Sequence, residues 1–172
     1  QITALGGLAM MVGFVLIGEA TGTYQISELA SREPLQQQLA ASPLFIPALL
    51  LVFVGAFTKS AQVPFHFWLP NAMVAPTPVS TYLHAATMVK AGVFLVGRML
   101  PVFSQAACWS PILVTVGLLT FFLGAYQAFR ENDLKGMLAR TTLSTLGLVM
   151  MIYGLKAMGV WQAERGSNLL DT

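Results

Sequence analysis

Residues 59–98 read KSAQVPFHFWLPNAMVAPTPVSTYLHAATMVKAGVFLVGR and decide the fold of this chain. Lys59 ends an apolar run, and Pro64 follows five residues later. A proline inside a helix removes one backbone donor and clashes with the preceding turn. We therefore expect a helix that breaks between Lys59 and Trp68. The alternative is that Pro64 marks only an ordinary helix end.

The composition around this stretch indicates a membrane protein. The chain has 172 residues, of which 56% are hydrophobic and only 9% are charged, whereas soluble domains carry about 25% charged residues. A membrane-spanning helix needs about 20 mostly apolar residues. The sequence predicts an all-α, polytopic fold with about five transmembrane helices, one of them discontinuous, as a fragment of a larger bundle. The predicted spans are residues 2–17, 44–69, 79–100, 112–129 and 136–155.

Other features narrow the class of protein. The single cysteine, Cys108, excludes an internal disulfide and a cysteine-built metal site. No phosphate-binding loop, haem ligand pair or nucleophile triad is visible, so we expect no cofactor, no metal and no catalytic residue. The net charge of +2 gives no indication of nucleic acid binding. The chain begins with Gln1, and we interpret it as an internal fragment whose polar residues have partners elsewhere.

Two connections carry information about the ends of the spans. Residues 19–43 are polar, and 31–38 have helical propensity and are expected at the membrane interface. The basic residues Arg130, Lys135 and Arg140 favour the cytoplasmic side for the loop after the fourth span. Arg32 and Arg98 then fall on the opposite side and weaken that orientation.

Lys59 is the strongest candidate for chemistry. A charged lysine in the middle of an apolar helix costs about 2.5–3.5 kcal/mol on insertion scales. Removal from water disfavours the charged form, so Lys59 is a candidate for gaining and losing a proton. Gln62 shares its helix face, and His66 follows on that face if the turn continues. The alternative is a lysine whose side chain extends to the membrane interface.

The third predicted span carries a polar stripe. Its members are spaced 3, 4, 3 and 3 residues apart and lie within an arc of about 140°. The stripe predicts a hydrated path whose residues face neighbouring helices, and His84 suits proton exchange at physiological pH. The alternative is hydrogen bonding between helices, which Ser and Thr also provide. The stripe comprises Thr77, Ser80, His84, Thr87 and Lys90.

The stretch 59–98 closely resembles the central segment of the proton-conducting antiporter-like subunits of respiratory complex I and the multisubunit sodium/proton antiporters. Residues 133–147, DLKGMLARTTLSTLG, resemble the next element of that family. The versions FHFWLP, APTPVS and ATMVKAG are most similar to the A-type subunit of the multisubunit sodium/proton antiporter. Arg140 departs from the family, which usually has an aromatic residue at this position.

The resemblance implies a function and its residues. The half-channel lysine on a broken helix falls on Lys59, and the channel histidine falls on His84. The implied protein is not an enzyme but a multi-pass transporter subunit in the plasma membrane. It carries protons, with sodium ions as a further candidate, and works beside other membrane subunits. The alternative is a proton-pumping subunit of complex I or a related hydrogenase, hence part of a translocase.

Residues 1–160 are expected to form a partial transporter domain, and 161–172 a tail or truncation artefact. The predicted proton path comprises Lys59, His84, Lys90, His66, Gln62, Ser80 and Thr87, with the helix break at Pro64.

Overall fold

The structure is a computed structural model that describes residues 2–72, 76, 88–103, 106 and 108–170. Side chains are described for these residues up to Gly159, apart from that of Met88. All regular secondary structure in the described part of the chain is helical, which confirms the predicted all-α class. Its helices are α1 (Ile2–Thr21), α2 (Ile26–Ser31), α3 (Glu33–Ala41), α4 (Phe45–Lys59), α5 (Trp68–Asn71), α6 (Met88–Phe103), α7 (Trp109–Phe129) and α8 (Leu134–Leu170).

Three described helices are long and apolar enough to cross a membrane: α1, α7 and the Leu134–Gly159 part of α8. A fourth crossing results if α3 and α4, which meet at an angle of 103°, count as one bent span. The predicted third span, 79–100, lies partly outside the described residues. Membrane spans are therefore confirmed, and the predicted third span depends partly on residues the structure does not describe.

The connection between the first two spans differs in detail from its prediction. Helix α1 runs to Thr21 and is followed by Gly22, whose φ of +70° is a conformation that glycine adopts easily. The predicted helix over 31–38 is split, because Arg32 is extended and separates α2 from α3. Pro34 begins α3 within its first turn, where a proline needs no hydrogen-bond partner.

Small residues bring the long helices close together. A Cβ on Gly55 of α4 would lie 2.8 Å from the carbonyl oxygen of Gly6 in α1. Helices α7 and α8 make the most extensive contact. A Cβ on Gly147 of α8 would lie 2.7 Å from the carbonyl oxygen of Gly117 in α7, and Gly124 and Gly154 repeat this approach seven residues further along each helix. Such contact is typical of helices that associate within a membrane.

An aromatic cluster joins α4 to the helices that follow it. The rings of Phe53 and Trp109 stack with centroids 4.5 Å apart, and Phe103 lies 4.9 Å from Trp109. Phe45 extends the cluster towards the start of α4, at 5.8 Å from Phe103. Phe103 and Trp109 are fully buried. This cluster fixes the body of α4, and therefore its end at Lys59, against α6 and α7.

Candidate functional site

The predicted break of the second span is confirmed. Helix α4 ends at Lys59, and helical structure resumes only at Trp68 in α5. The carbonyl with which the ring of Pro64 would clash in a continuing helix is that of Ser60, four residues earlier. Ser60 is the first residue beyond α4. The position of Pro64 thus accounts for where the helix ends.

The end of α4 has a defined backbone cap. Ala61 has a φ of +51°, a left-handed conformation that costs a non-glycine residue roughly 1–2 kcal/mol. The N–H of Gln62 then donates to the carbonyl of Phe57 at 2.9 Å, the hydrogen bond that characterises a Schellman motif. The indole N–H of Trp68 donates to the carbonyl of Thr58 at 3.0 Å. Two of the carbonyls released at the helix end are therefore satisfied.

The break is also bonded to α7. The backbone N–H of Val63 donates to Oγ1 of Thr120 at 3.1 Å. The Thr120 hydroxyl in turn donates to the carbonyl of Val116 at 2.7 Å, and its side chain is completely buried. One hydroxyl thus serves its own helix and the irregular segment. This contact fixes the middle of the break against the interior of the chain.

Three buried polar atoms of the break have no hydrogen-bond partner in the described chain. They are Oγ of Ser60, Oε1 of Gln62 and Nδ1 of His66. Gln62 is completely buried and donates through Nε2 to the carbonyl of Ser60 at 3.4 Å. Buried polar atoms in proteins are almost always satisfied, by protein or by ordered water. Three such atoms within seven residues therefore require partners from outside the described residues, either water or other protein groups.

Lys59 is the last residue of α4 and directly precedes this segment. Its side chain is partly buried, and no carboxylate among the described residues lies within ion-pair distance of it. Its position in the last turn of α4 places the ammonium near the negative end of the helix dipole, which favours a cation. The lysine is thus held in place by the end of its helix and not by a described acidic partner.

Helix α6 approaches the break through a glycine. A Cβ on Gly92 would collide with Oγ of Ser60 and with the carbonyl oxygen of Ala56. Any larger residue would therefore separate α6 from the end of α4. Lys90, the described member of the polar stripe, precedes Gly92 by two residues on the same helix.

The remaining predicted site residues have different outcomes. Thr77, Ser80, His84 and Thr87 lie outside the described residues. Lys90 is exposed, whereas Val89 and Val93 are buried, so within the described chain α6 packs through its valines. Burial here therefore does not support the expectation that Lys90 faces a neighbouring helix.

The expectation that Gln62 shares a helix face with Lys59 was wrong, and the condition under which His66 would follow on that face, a continuing turn, is not met. The helix has already ended at Lys59, because Ala61 turns the backbone away. Gln62 is nevertheless brought into the interior, and His66 is partly buried with its ring 5.6 Å from that of Phe67. Sequence reasoning missed Thr120 and Trp68 as partners of the break, because neither residue type signals a long-range hydrogen bond.

Arg140 lies in a polar cluster where α7 ends and α8 begins. Its guanidinium forms an ion pair with Glu131 at 2.5 Å and donates to Oε1 of Gln127 at 3.2 Å. Its Nε is buried without a partner in the described chain. Arg140 therefore packs on α7 through polar contacts.

Comparisons with known proteins agree with this architecture. Residues 1–165 match the model of a family described as NADH:quinone oxidoreductase/Mrp antiporter, transmembrane. The chain is 50% identical over 163 residues to the A-type subunit of the Na(+)/H(+) antiporter of Alkalihalophilus pseudofirmus, covering 95% of this chain and 20% of that protein. It is 52% identical over 155 residues to a probable K(+)/H(+) antiporter subunit (type A/B) of Rhizobium meliloti, covering 90% of this chain and 15% of that protein.

A solved structure shares the fold. The Mrp complex from Dietzia sp. contains a chain that superposes with a TM-score of 0.75 at 24% identity, covering 90% of this chain and 28% of that one. The chain thus spans about a fifth of the length of the curated relatives that it matches. With the family model matched over nearly its whole length, the chain belongs to the NADH:quinone oxidoreductase/Mrp antiporter transmembrane family.

Proposed function

We propose that this chain forms the broken-helix part of the proton path in the A-type subunit of a multisubunit sodium/proton antiporter of the plasma membrane. The observation that carries the proposal is the segment after Lys59, which holds three buried polar atoms that lack described partners. Broken helices in transporters are typical places for ion sites, because their irregular backbone lines a cavity. The other membrane subunits of the complex are the partners of this part.

Lys59 is the residue that takes up and releases the proton in this proposal. Its ammonium is stabilised by the end of α4, and its partial burial limits its contact with water. A carboxylate that approaches Lys59 from elsewhere in the full subunit would load the proton, and its withdrawal would release it.

The residues beyond Lys59 carry the proton onward in this proposal. Water bound by Ser60, Gln62 and His66 would connect Lys59 to the next acceptor, for which His84 is proposed. The names of the relatives, which describe cation/proton antiporter subunits, favour this function over that of a pump subunit of complex I. The same proton path would serve in either complex. Coupling of proton movement to sodium distinguishes the antiporter from complex I.

The test is dye-monitored proton flux in everted vesicles that contain the full complex at equal expression. Lys59→Arg keeps the charge but stays protonated, because a guanidinium does not lose its proton in proteins. Lys59→Ala removes both charge and proton. Both variants should reduce flux to background, and His84→Ala should reduce it less because water partly bridges the gap.

Arg32→Gln is the matched control, since it removes a cation from an exposed connection far along the chain from the break. Its flux should equal that of the wild type. Wild-type flux from Lys59→Arg would show that proton exchange at this residue is not required, and the assignment would have to be abandoned.

A further inference from the structure

A cavity of about 560 Å³ lies between α6 and α8, away from the break. Two cationic side chains, those of Arg98 and Lys156, line it together with Tyr153. No acidic residue is among the described residues that line the cavity, and neither cation has a described ion-pair partner. Both side chains are exposed. The cavity therefore presents two uncompensated positive charges at its surface.

The position of the cavity along the membrane follows from helix geometry. Lys156 lies 22 residues after Leu134, the first residue of α8. At 1.5 Å per residue this separation is about 33 Å, close to the thickness of the hydrocarbon layer. The charged loop that includes Arg130 and Glu131 directly precedes α8. If this loop lies at one membrane surface, Lys156 lies at the headgroup level of the other.

A close contact between α6 and α8 places Arg98 at the same membrane depth as Lys156. A Cβ on Gly97 would lie 3.0 Å from the hydroxyl oxygen of Tyr153, so α6 and α8 approach each other at this point. Arg98 follows Gly97 directly, and Lys156 is one turn beyond Tyr153. The two cations therefore come from different helices but converge on one opening.

The rest of the cavity lining is mostly apolar. Phe94 is one turn before Arg98 and is 70% exposed, and Leu100 and Pro101 complete the apolar lining. An anionic group bound only by Arg98, Lys156 and the Tyr153 hydroxyl would leave this surface uncovered. A ligand with both an anionic head and hydrocarbon chains would cover both parts.

The convergence of two cations on an apolar cavity at headgroup depth leads us to infer that this cavity binds the phosphate of an anionic phospholipid. Arg98 and Lys156 each donate charge-assisted hydrogen bonds to the phosphate oxygens. The Tyr153 hydroxyl donates to a remaining oxygen. The acyl chains lie along Phe94. Basic pockets between membrane helices bind lipid headgroups in this manner.

The test is native mass spectrometry of the full complex titrated with phosphatidylglycerol or, separately, with phosphatidylcholine. The wild type should bind phosphatidylglycerol more tightly at one site per copy of this subunit. Each of Arg98→Gln and Lys156→Gln should weaken that site about fivefold, and the double variant about 25- to 30-fold. Arg32→Gln, a cation outside the cavity, should have no effect.

An exchange variant and a competition with inorganic phosphate complete the test. The exchange variant Arg98→Lys/Lys156→Arg keeps both charges and should retain the lipid, which also guards against a general loss of folding in the glutamine variants. Inorganic phosphate at millimolar concentration should not displace phosphatidylglycerol. Equal binding of the two lipids by the wild type, full binding by the double glutamine variant, loss of lipid in the exchange variant, or displacement by inorganic phosphate would each overturn the inference.

Discussion

The hydrogen bond between Val63 and Thr120 offers the sharpest test of how the break is held. Thr120→Val replaces the hydroxyl by a methyl group of similar size and leaves the Val63 N–H without its acceptor. A buried donor without a partner costs about 1–3 kcal/mol. If the lost bond lowers the free energy of local opening by this amount, amide exchange of Gln62, Val63 and Phe65 should accelerate roughly 5- to 150-fold.

Hydrogen–deuterium exchange of the full complex in lipid nanodiscs, read on peptides that cover residues 60–67, measures this change. Thr120→Ser is the matched control, because it keeps the hydroxyl and loses one methyl group, worth about 0.8 kcal/mol of burial. Exchange at the break should stay near the wild-type rate in that variant. Equal acceleration in both variants would show that packing at Thr120, and not its hydroxyl, holds the segment, and the reasoning would fail.

Three further substitutions probe other contacts. Gly147→Ala should lower the thermal midpoint of the complex, because the new Cβ would lie 2.6 Å from a backbone nitrogen of α7, whereas Gly7→Ala meets nothing within 4 Å and should be neutral in the same melting assay. Ala61→Gly should raise the midpoint, since it relieves a left-handed alanine worth roughly 1–2 kcal/mol; a lower midpoint would contradict this. Glu131→Gln should destabilise the complex by leaving a partly buried Arg140 without its ion pair, and adding Arg140→Met should recover part of the loss.

The main helices and the break could be predicted from the sequence. Long apolar runs predicted α1 and α7 to within a few residues at each end, because helix length follows membrane thickness. Pro64 predicted the interruption, because its effect on a helix is local and does not depend on the rest of the fold. Each of these features is determined by residues that lie close to it in the sequence.

The partners of the break could not be predicted, because they depend on packing. The left-handed conformation of Ala61 has no sequence signal, since alanine usually favours a helix. The bond from Val63 to Thr120 joins residues 57 positions apart. Gly117 and Gly124 of α7, and Gly147 and Gly154 of α8, are each spaced by seven residues, a pattern visible in the sequence, but only the structure shows that Gly117 faces Gly147. The pair between Arg140 and Glu131 likewise requires the turn between those helices.

The distance in sequence between Val63 and Thr120 has a consequence for how the protein is made. Synthesis proceeds from the N-terminus, so the break leaves the ribosome 57 residues before its acceptor. During that interval the Val63 N–H has no partner from α7, and lipid offers none. The nascent chain must therefore keep residues 60–67 beside water or inside the insertion machinery until α7 arrives. Delivery of the fourth predicted span thus becomes the step that commits the break to the membrane interior.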